Sequence, residues 1–369
     1  VLTQINKDDK SDEFIFFLTP YLEQHLTAFK NTSVYNSIHF FDNSLAAQYA
    51  NFANTKQMAN FILKQIFSIR KQIEFDHVLF LNLSLVLRNP NILNPFKRLP
   101  FTFSGILMNS PYRIREKRNN KILQIKREFP LKLLIKNKNC SNIFLLNDKK
   151  GVEFYKKWSD KISPIIDPVR ISIASDFDVS EYHDIKSDIL TFTQIGKLGK
   201  YKGTLDIFDA IEEIDAKLLE QIHFLFIGKV NKDIETDIQM LNKTKHKQVT
   251  SIRNEFISDQ DFSAYIEQSS VILITNKNAE NSSGIVNHCL LNNKVVVAPN
   301  KGYYKEIFKD YKGVVSYDDK FSLSKAISFA TNNFDQLQVD AKKFDNQKFI
   351  TENSQDKFAK VLLDGIVYS

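Results

Sequence analysis

Glycine is scarce in this chain, with 10 among 369 residues, against a usual share of roughly 7%. Each glycine therefore marks a place where backbone freedom or close approach is worth looking for. Two cysteines, Cys140 and Cys289, are too few for a disulfide framework, and no CxxC pair exists to build a cysteine-rich zinc site. That usage suits a reducing compartment. No apolar run reaches the ~18 residues of a membrane-spanning helix; runs such as Val295 to Ala298 are strand-length. The opening Val-Leu-Thr-Gln-Ile-Asn-Lys lacks the apolar stretch of a secretory leader. It also lacks Met, which leaves processing or truncation ahead of Val1 open. A Walker A loop, a GxGxxG fingerprint, a GxSxG elbow and an HExxH pair are all absent.

What is present is a globular composition of 43% hydrophobic, 25% charged and 12% aromatic residues, at a length that suits about two domains. The net charge of +7 is unevenly spread. Residues 1–167 hold 25 Lys/Arg against 14 Asp/Glu, whereas residues 168–369 hold 25 against 29. Within 97–138 there are 12 basic residues and two acids, Glu116 and Glu128. Such asymmetry points to one half meeting something anionic.

Short apolar runs alternate with helical periodicity. Strands are expected at Phe14–Leu18, Val34–Phe41, His77–Leu83, Phe101–Met108 and Asn142–Leu146. Helices are expected over 44–73, over 115–137 with an interruption at Pro130, and through Trp158. The pattern fades at 164–187, which reads as an inter-domain hinge. It restarts with strands at Leu190–Gly196, His223–Ile227, 249–252, Val271–Thr275 and Val295–Ala298. Helices over 203–214, 232–242, 260–268 and 284–292 separate them. This alternation predicts parallel sheets flanked by helices.

The strongest local signal is Gly196-Lys197-Leu198-Gly199-Lys200-Tyr201-Lys202-Gly203, set between a strand and a helix. Glycines let backbone approach a ligand, a helix start favours anions, and three lysines add neutralising charge. An ordinary solvated basic turn reads equally well from residue types alone. The second signal is Asn278 to His288, joining a strand to a helix that Ser282 or Ser283 can cap, with Glu280 beside the free amides. Alone it reads as a plain helix cap. Two anion-suited loops on one sheet edge favour a phosphate-bearing ligand.

These residues resemble the carboxy-terminal domain of GT-B glycosyltransferases, nearest the retaining family 4 type. The usual pattern there is G-R-L-x3-K-G, then E-x7-E, then a helix and a short apolar strand. Residues 188–310 carry the likeness. It implies two Rossmann-like domains facing each other across a cleft. The implied boundaries are 1–168 on the acceptor side and 169–350 on the nucleotide-sugar side, with a helix in 351–369 crossing back to the first domain. It implies that Lys197 and Lys202 hold a donor diphosphate with Gly196, Ser282, Ser283 and Gly284, and that Glu280 lies near the donor sugar as the catalytic residue. Gly228 and the loop Arg253 to Phe256 fall near the base. His288 stands where the family has its second glutamate, on the ribose; a neutral imidazole still hydrogen-bonds hydroxyls. Lysines and a helix start can stabilise the leaving diphosphate without a metal or other cofactor. The family also usually begins with a strand and glycine loop that this sequence does not show.

The implied activity is transfer of a sugar from a nucleotide-diphosphate-sugar to a glycan or lipid-linked acceptor, with retention, in bacterial surface polysaccharide synthesis. The implied location is cytoplasmic, peripheral at the inner membrane. Arg113 and Arg115 are the acceptor candidates. The basic, apolar-interleaved segment 113–138 suits an anionic membrane surface, and equally a packed helix with a solvated basic face. Asp176-Phe177-Asp178 spells a metal-binding DxD but follows no clear strand. His77 and His223 open apolar strands and read as structural. The rival readings are a sugar-nucleotide epimerase or hydrolase on the same scaffold, a nucleic-acid binder using the basic stretch, and a GT-B module without turnover.

Overall fold

The computed structural model describes residues 2–8, 13–18, 23, 26–40, 55–87, 90–94, 96, 98–112, 121–169, 189–241, 248–277, 284–318 and 322–367. The chain divides into two compact units, Val1–Pro168 with Asn353–Ser369, and Val169–Glu352.

In the first unit, a short helix α1 (Leu2–Lys7) precedes a parallel pair of strands, β1 (Phe16–Leu18) and β2 (Ile38–Phe40). The expected strand at Val34 instead opens with one helical turn, Ser33–Asn36, and only Ile38–Phe40 pairs. Helix α2 (Thr55–Arg70) then leads into a four-stranded parallel sheet in the order β3 (His77–Phe80), β4 (Thr102–Leu107), β5 (Cys140–Leu146), β6 (Ile162–Ile165). Between β4 and β5 runs α3 (Lys121–Lys136), and between β5 and β6 runs α4 (Lys149–Lys156).

Two prolines correct the sequence reading. Pro130 sits inside α3 and does not end it. The helix loses one donor there, yet Leu131 and Leu134 beyond it are buried against the sheet, and that packing carries the helix through. Pro164 lies within β6 rather than in a hinge, which the sheet tolerates because β6 is its edge strand.

Period-two alternation assigns the faces of this sheet. Phe103, Leu107, Ile143 and Leu145 meet Leu63 of α2, Leu131 and Leu134 of α3, and Tyr155 of α4. Ile106, Phe144 and Ile165 point the other way and are covered by Leu362 of α13 (Gln355–Val367), the last helix. A methyl on Gly365 would fall 2.5 Å from the Phe144 ring, so the glycine permits that close seat.

The second unit is a six-stranded parallel sheet. Its strands are β7 (Leu190–Ile195), β8 (Ile222–Ile227), β9 (Thr250–Arg253), β10 (Val271–Leu273), β11 (Val295–Pro299) and β12 (Val314–Tyr317). Their spatial order is β12-β11-β10-β7-β8-β9. The winding therefore reverses between β7 and β10, where open α/β sheets leave a crevice at the carboxyl ends of the strands.

Helices α5 (Thr204–Glu213), α6 (Glu235–Leu241), α10 (Leu323–Asn332) and α11 (Phe334–Ala341) cover one face, against Phe224, Phe226, Val271 and Val297. Helices α7 (Asp259–Gln268), α8 (Gly284–Leu291), α9 (Gly302–Ile307) and α12 (Asn346–Glu352) pack with the other cluster, which contains Leu225, Ile227, Ile272 and Val296. Burial on both faces explains why these strands read as unbroken apolar runs.

No helix among the described residues is long and apolar enough to cross a membrane.

Candidate functional site

The reversal point in the second unit is built from the end of β7. Gly196 adopts φ +103°, and its N–H donates to the Ile227 carbonyl at 2.9 Å. Leu198 is fully buried and its N–H donates to Lys229 O. The loop then turns through a 3-10 segment, Lys200–Lys202, to Gly203 at φ +68°, from which α5 departs. Thr204 Oγ1 accepts from the Gly199 N–H at 3.0 Å.

Two buried side chains bolt this loop to the neighbouring strand end. Gln194 Nε2 donates to Lys202 O and to Thr275 Oγ1, each at 3.0 Å, and Thr275 Oγ1 donates to the same Lys202 carbonyl at 2.6 Å. Gln194 is 5% exposed and Thr275 2%, so these bonds form where an unmade one is costly. Gly203 is required at the contact, because a Cβ there would lie 2.2 Å from Thr275 O. Gly228, after β8, is tighter still: at φ +135° its Cβ would fall 1.8 Å from Gly196 O. By contrast, a Cβ on Gly196 or on Gly284 would meet nothing within 4 Å. The scaffold below is closed, and the surface over these two glycines is open.

Cations follow five of the six strands at this edge. Lys197 is exposed after β7, Lys229 after β8, and Lys301 after β11, while Arg253 ends β9 and Lys277 follows β10. Lys277 Nζ pairs with Asp206 at 2.9 Å, and its N–H donates to Tyr201 O. Arg253 is held by the Tyr265 hydroxyl and lies 3.7 Å from Glu255. Lys202 differs from the others. It is half-buried, burial lowers its pKa, and it has no carboxylate partner among the described residues. A desolvated, unpaired ammonium favours an anion brought to it. Sequence alone does not single out Lys229, Lys277 and Lys301, because only strand order shows that they share an edge with Lys197 and Lys202.

Helix α8 starts at the exposed Gly284 beside the end of β10, and its first-turn N–H groups have no acceptor within the helix. His288 lies one turn along, half-buried, its ring edge-on to Phe262 of α7 at 5.1 Å. The second unit therefore brings together Gly196, Lys197, Lys202, Gly228, Gly284 and His288 on or next to one sheet edge. Glu280, Ser282, Ser283, Arg113, Arg115 and the Asp176–Asp178 motif lie outside the described residues.

At the carboxyl end of β5 in the first unit, Asp148 is buried and caps α4 through the Gly151 N–H. Asn147, at φ +53°, accepts from the Asp167 N–H at 2.9 Å and so ties the chain where it leaves β6. His223 is buried and bonded to Ser251 Oγ. His77 is paired with Thr102 Oγ1, and burial holds its pKa down at about 4. Both cysteines are free and buried, and burial pushes the Cys140 thiol up to about 12. Among the described residues no group of three or more His, Cys, Asp or Glu is placed to hold a metal ion.

No protein-family model matches the chain, and no curated protein matches it by sequence. Solved structures do match. HepE of Anabaena, in complex with UDP and glucose, aligns over 100% of this chain and 95% of its own at a TM-score of 0.64 and 12% identity. Sucrose-phosphate synthase from Thermosynechococcus elongatus aligns over 85% and 78% at a TM-score of 0.63 and 12% identity. WaaG, a glycosyltransferase involved in lipopolysaccharide biosynthesis, aligns over 88% and 86% at a TM-score of 0.60 and 12% identity. These likenesses, with the parallel sheets of both units, show that the chain has the GT-B fold.

Proposed function

We propose that this chain is a glycosyltransferase of the EC 2.4 class, acting on a nucleotide-diphosphate-sugar with retention. The acceptor in this reading is a glycan or lipid-linked glycan of bacterial surface polysaccharide synthesis, and the location is cytoplasmic. The observation that carries the reading is the half-buried Lys202 at the winding reversal, which has no carboxylate partner among the described residues, on the sheet edge that also carries the open glycines 196 and 284. GT-B neighbours captured with UDP and UDP-glucose support the donor class.

In this reading Lys197 and Lys202, with the first-turn amides of α8 and the hydroxyls of Ser282 and Ser283, hold the diphosphate. Glu280 lies against the donor sugar as the catalytic residue, and His288 bonds the ribose. Gly228 and the Arg253–Phe256 loop flank the base. Arg113 and Arg115 serve the acceptor. The sugar C1–O bond to the phosphate breaks with its electron pair leaving on the diphosphate. The acceptor hydroxyl oxygen bonds C1 on the same face, and its proton passes to the departing phosphate oxygen. Fixed cations and amides stabilise the charge that develops on the leaving group, so this reading uses no metal.

Calorimetric titration of UDP, GDP and their sugar conjugates tests it. The expected result is saturable one-site binding of one nucleotide, with hydrolysis or transfer of its sugar conjugate lost in Glu280→Ala. No binding of any nucleotide by the folded protein would overturn the reading.

A further inference from the structure

We propose that a groove in the first unit, between α2 and the short helix Pro90–Leu93, binds an acidic saccharide, a sugar chain that carries carboxylates. The groove has a volume of about 450 Å³. One wall is a line of α2 side chains, Asn60, Lys64 and Ser68, continued by Lys71 just past the helix; Asn91 stands on the other wall, and Leu63 and Phe67 form the floor. The α2 positions recur at steps of three and four, which aligns them along one side of the helix. Phe67 packs against Phe101, immediately ahead of β4, with ring centroids 5.8 Å apart. The groove therefore lies toward the amino ends of the strands, away from the carboxyl edge where open α/β sheets hold their ligands.

Both walls hold cations and no anion. Helix α2 contains no Asp or Glu, and none occurs between Asp76 and Glu116. Lys64 and Lys71 are exposed and have no carboxylate partner among the described residues. Arg70 is committed elsewhere: its Nη1 donates to Phe75 O, and its guanidinium lies 5.2 Å over the Phe75 ring. The wall that carries Asn91 is fixed from behind. Asn137 is fully buried and donates from Nδ2 to Ile92 O at 2.7 Å and to Asn94 O at 3.3 Å, and Ile92 is fully buried too. A preformed wall loses little freedom when a ligand arrives.

The mixture of groups selects the occupant. A small inorganic anion would use a lysine and leave the amides, the hydroxyl and the apolar floor without a role. An apolar molecule would cover the floor but strip water from two ammonium groups and three neutral hydrogen-bonding side chains. A chain of uronic acids uses all of them. Its carboxylates pair Lys64 and Lys71, its hydroxyls exchange hydrogen bonds with Asn60, Ser68 and Asn91, and the C–H faces of its rings cover Leu63 and Phe67. Lys64 and Lys71 are two turns apart, about 10 Å along the helix direction, so they meet carboxylates on different sugar units. Binding here needs no nucleotide donor, so this proposal and sugar transfer can fail separately.

The test is calorimetric titration of the full chain with tetragalacturonate, with neutral maltotetraose and with inorganic phosphate. Four proteins are compared: the natural chain, Lys64→Gln/Lys71→Gln, Ser68→Trp and Lys309→Gln/Lys312→Gln. Ser68→Trp fills the groove without changing charge, and the last pair removes the same charge from the second unit. All substituted positions are exposed, and an unchanged thermal midpoint checks folding. The expected result is one-site binding of tetragalacturonate, with maltotetraose and phosphate weaker by about tenfold or more. Lys64→Gln/Lys71→Gln and Ser68→Trp should each weaken it by about tenfold or more, and Lys309→Gln/Lys312→Gln should leave it unchanged. Absence of tetragalacturonate binding overturns the proposal. So does phosphate or maltotetraose binding as tightly, full binding by Ser68→Trp, an equal loss in Lys309→Gln/Lys312→Gln, or displacement of tetragalacturonate by UDP.

Discussion

Replacing Lys202 with Ala is expected to weaken nucleoside-diphosphate binding by about 10- to 100-fold, the worth of one charge-assisted hydrogen bond. The fold is expected to survive, because the bolts from Gln194 and Thr275 are made to the Lys202 carbonyl, which Ala retains. The side chain contributes nothing of that kind; it is a desolvated cation without a carboxylate partner among the described residues. Lys202→Arg keeps the charge and is expected to recover part of the affinity. The pH dependence has a definite sign. Burial lowers the Lys202 pKa, so in the free protein this ammonium deprotonates before an ordinary lysine does as pH rises. Diphosphate affinity should therefore be full below that lowered pKa and fall as pH climbs through it, and Lys202→Ala should abolish that limb of the profile. Titration of a nucleoside diphosphate across pH by calorimetry reads both effects. An unchanged affinity in Lys202→Ala would remove the residue from the site.

Four glycines at the same edge are expected to separate sharply in stability. Gly228→Ala places a methyl 1.8 Å from Gly196 O at φ +135°, and Gly203→Ala places one 2.2 Å from Thr275 O at φ +68°. Each combines backbone strain with a backbone clash that cannot relax by moving a side chain, for a cost of about 2–6 kcal/mol. Gly196→Ala has only the strain of φ +103°, about 1–3 kcal/mol, since nothing lies within 4 Å of the added atom. Gly284→Ala meets nothing within 4 Å and sits at a helix start with no positive φ, so it should be near neutral in stability. Denaturant midpoints give the order. The informative contrast is functional: Gly196→Ala and Gly284→Ala project methyls into the space assigned to the diphosphate, so their binding loss should exceed their stability loss. For Gly228→Ala and Gly203→Ala the two losses should track each other.

Much of the second unit is legible in sequence. Runs such as Val295-Val296-Val297 and Phe224-Leu225-Phe226, short and rich in β-branched or aromatic residues, read as strands covered on both faces, and Gly196 and Gly203 bracket a loop that turns tightly. What sequence does not show is which strands are neighbours. The bond from Gln194 to Thr275 spans 81 positions, and the five-fold row of cations exists only because β10 and β8 flank β7. Sequence alone assigns no element between the end of β11 and residue 350, so α9, β12 and α10 to α12 are not legible there; they are short and interrupted by polar turns. In the first unit the two prolines misled for one reason. Local propensity weighs against Pro in a helix or strand, but packing under Leu131 and an edge position for β6 override it. Which apolar side chains of α3 face the core is not legible either, because Ile122 and Leu131 look alike until burial separates them.

In the proposed reading an anionic nucleotide seats on the carboxyl edge of the second unit. Amide hydrogen exchange with and without a saturating nucleoside diphosphate tests it most directly, because exchange reports local opening segment by segment. Slowed exchange is expected only in peptides covering 196–204 and 284–288, with Lys202→Ala erasing it. Protection centred instead on the basic stretch 97–138 of the first unit, with 196–204 unchanged, would contradict it.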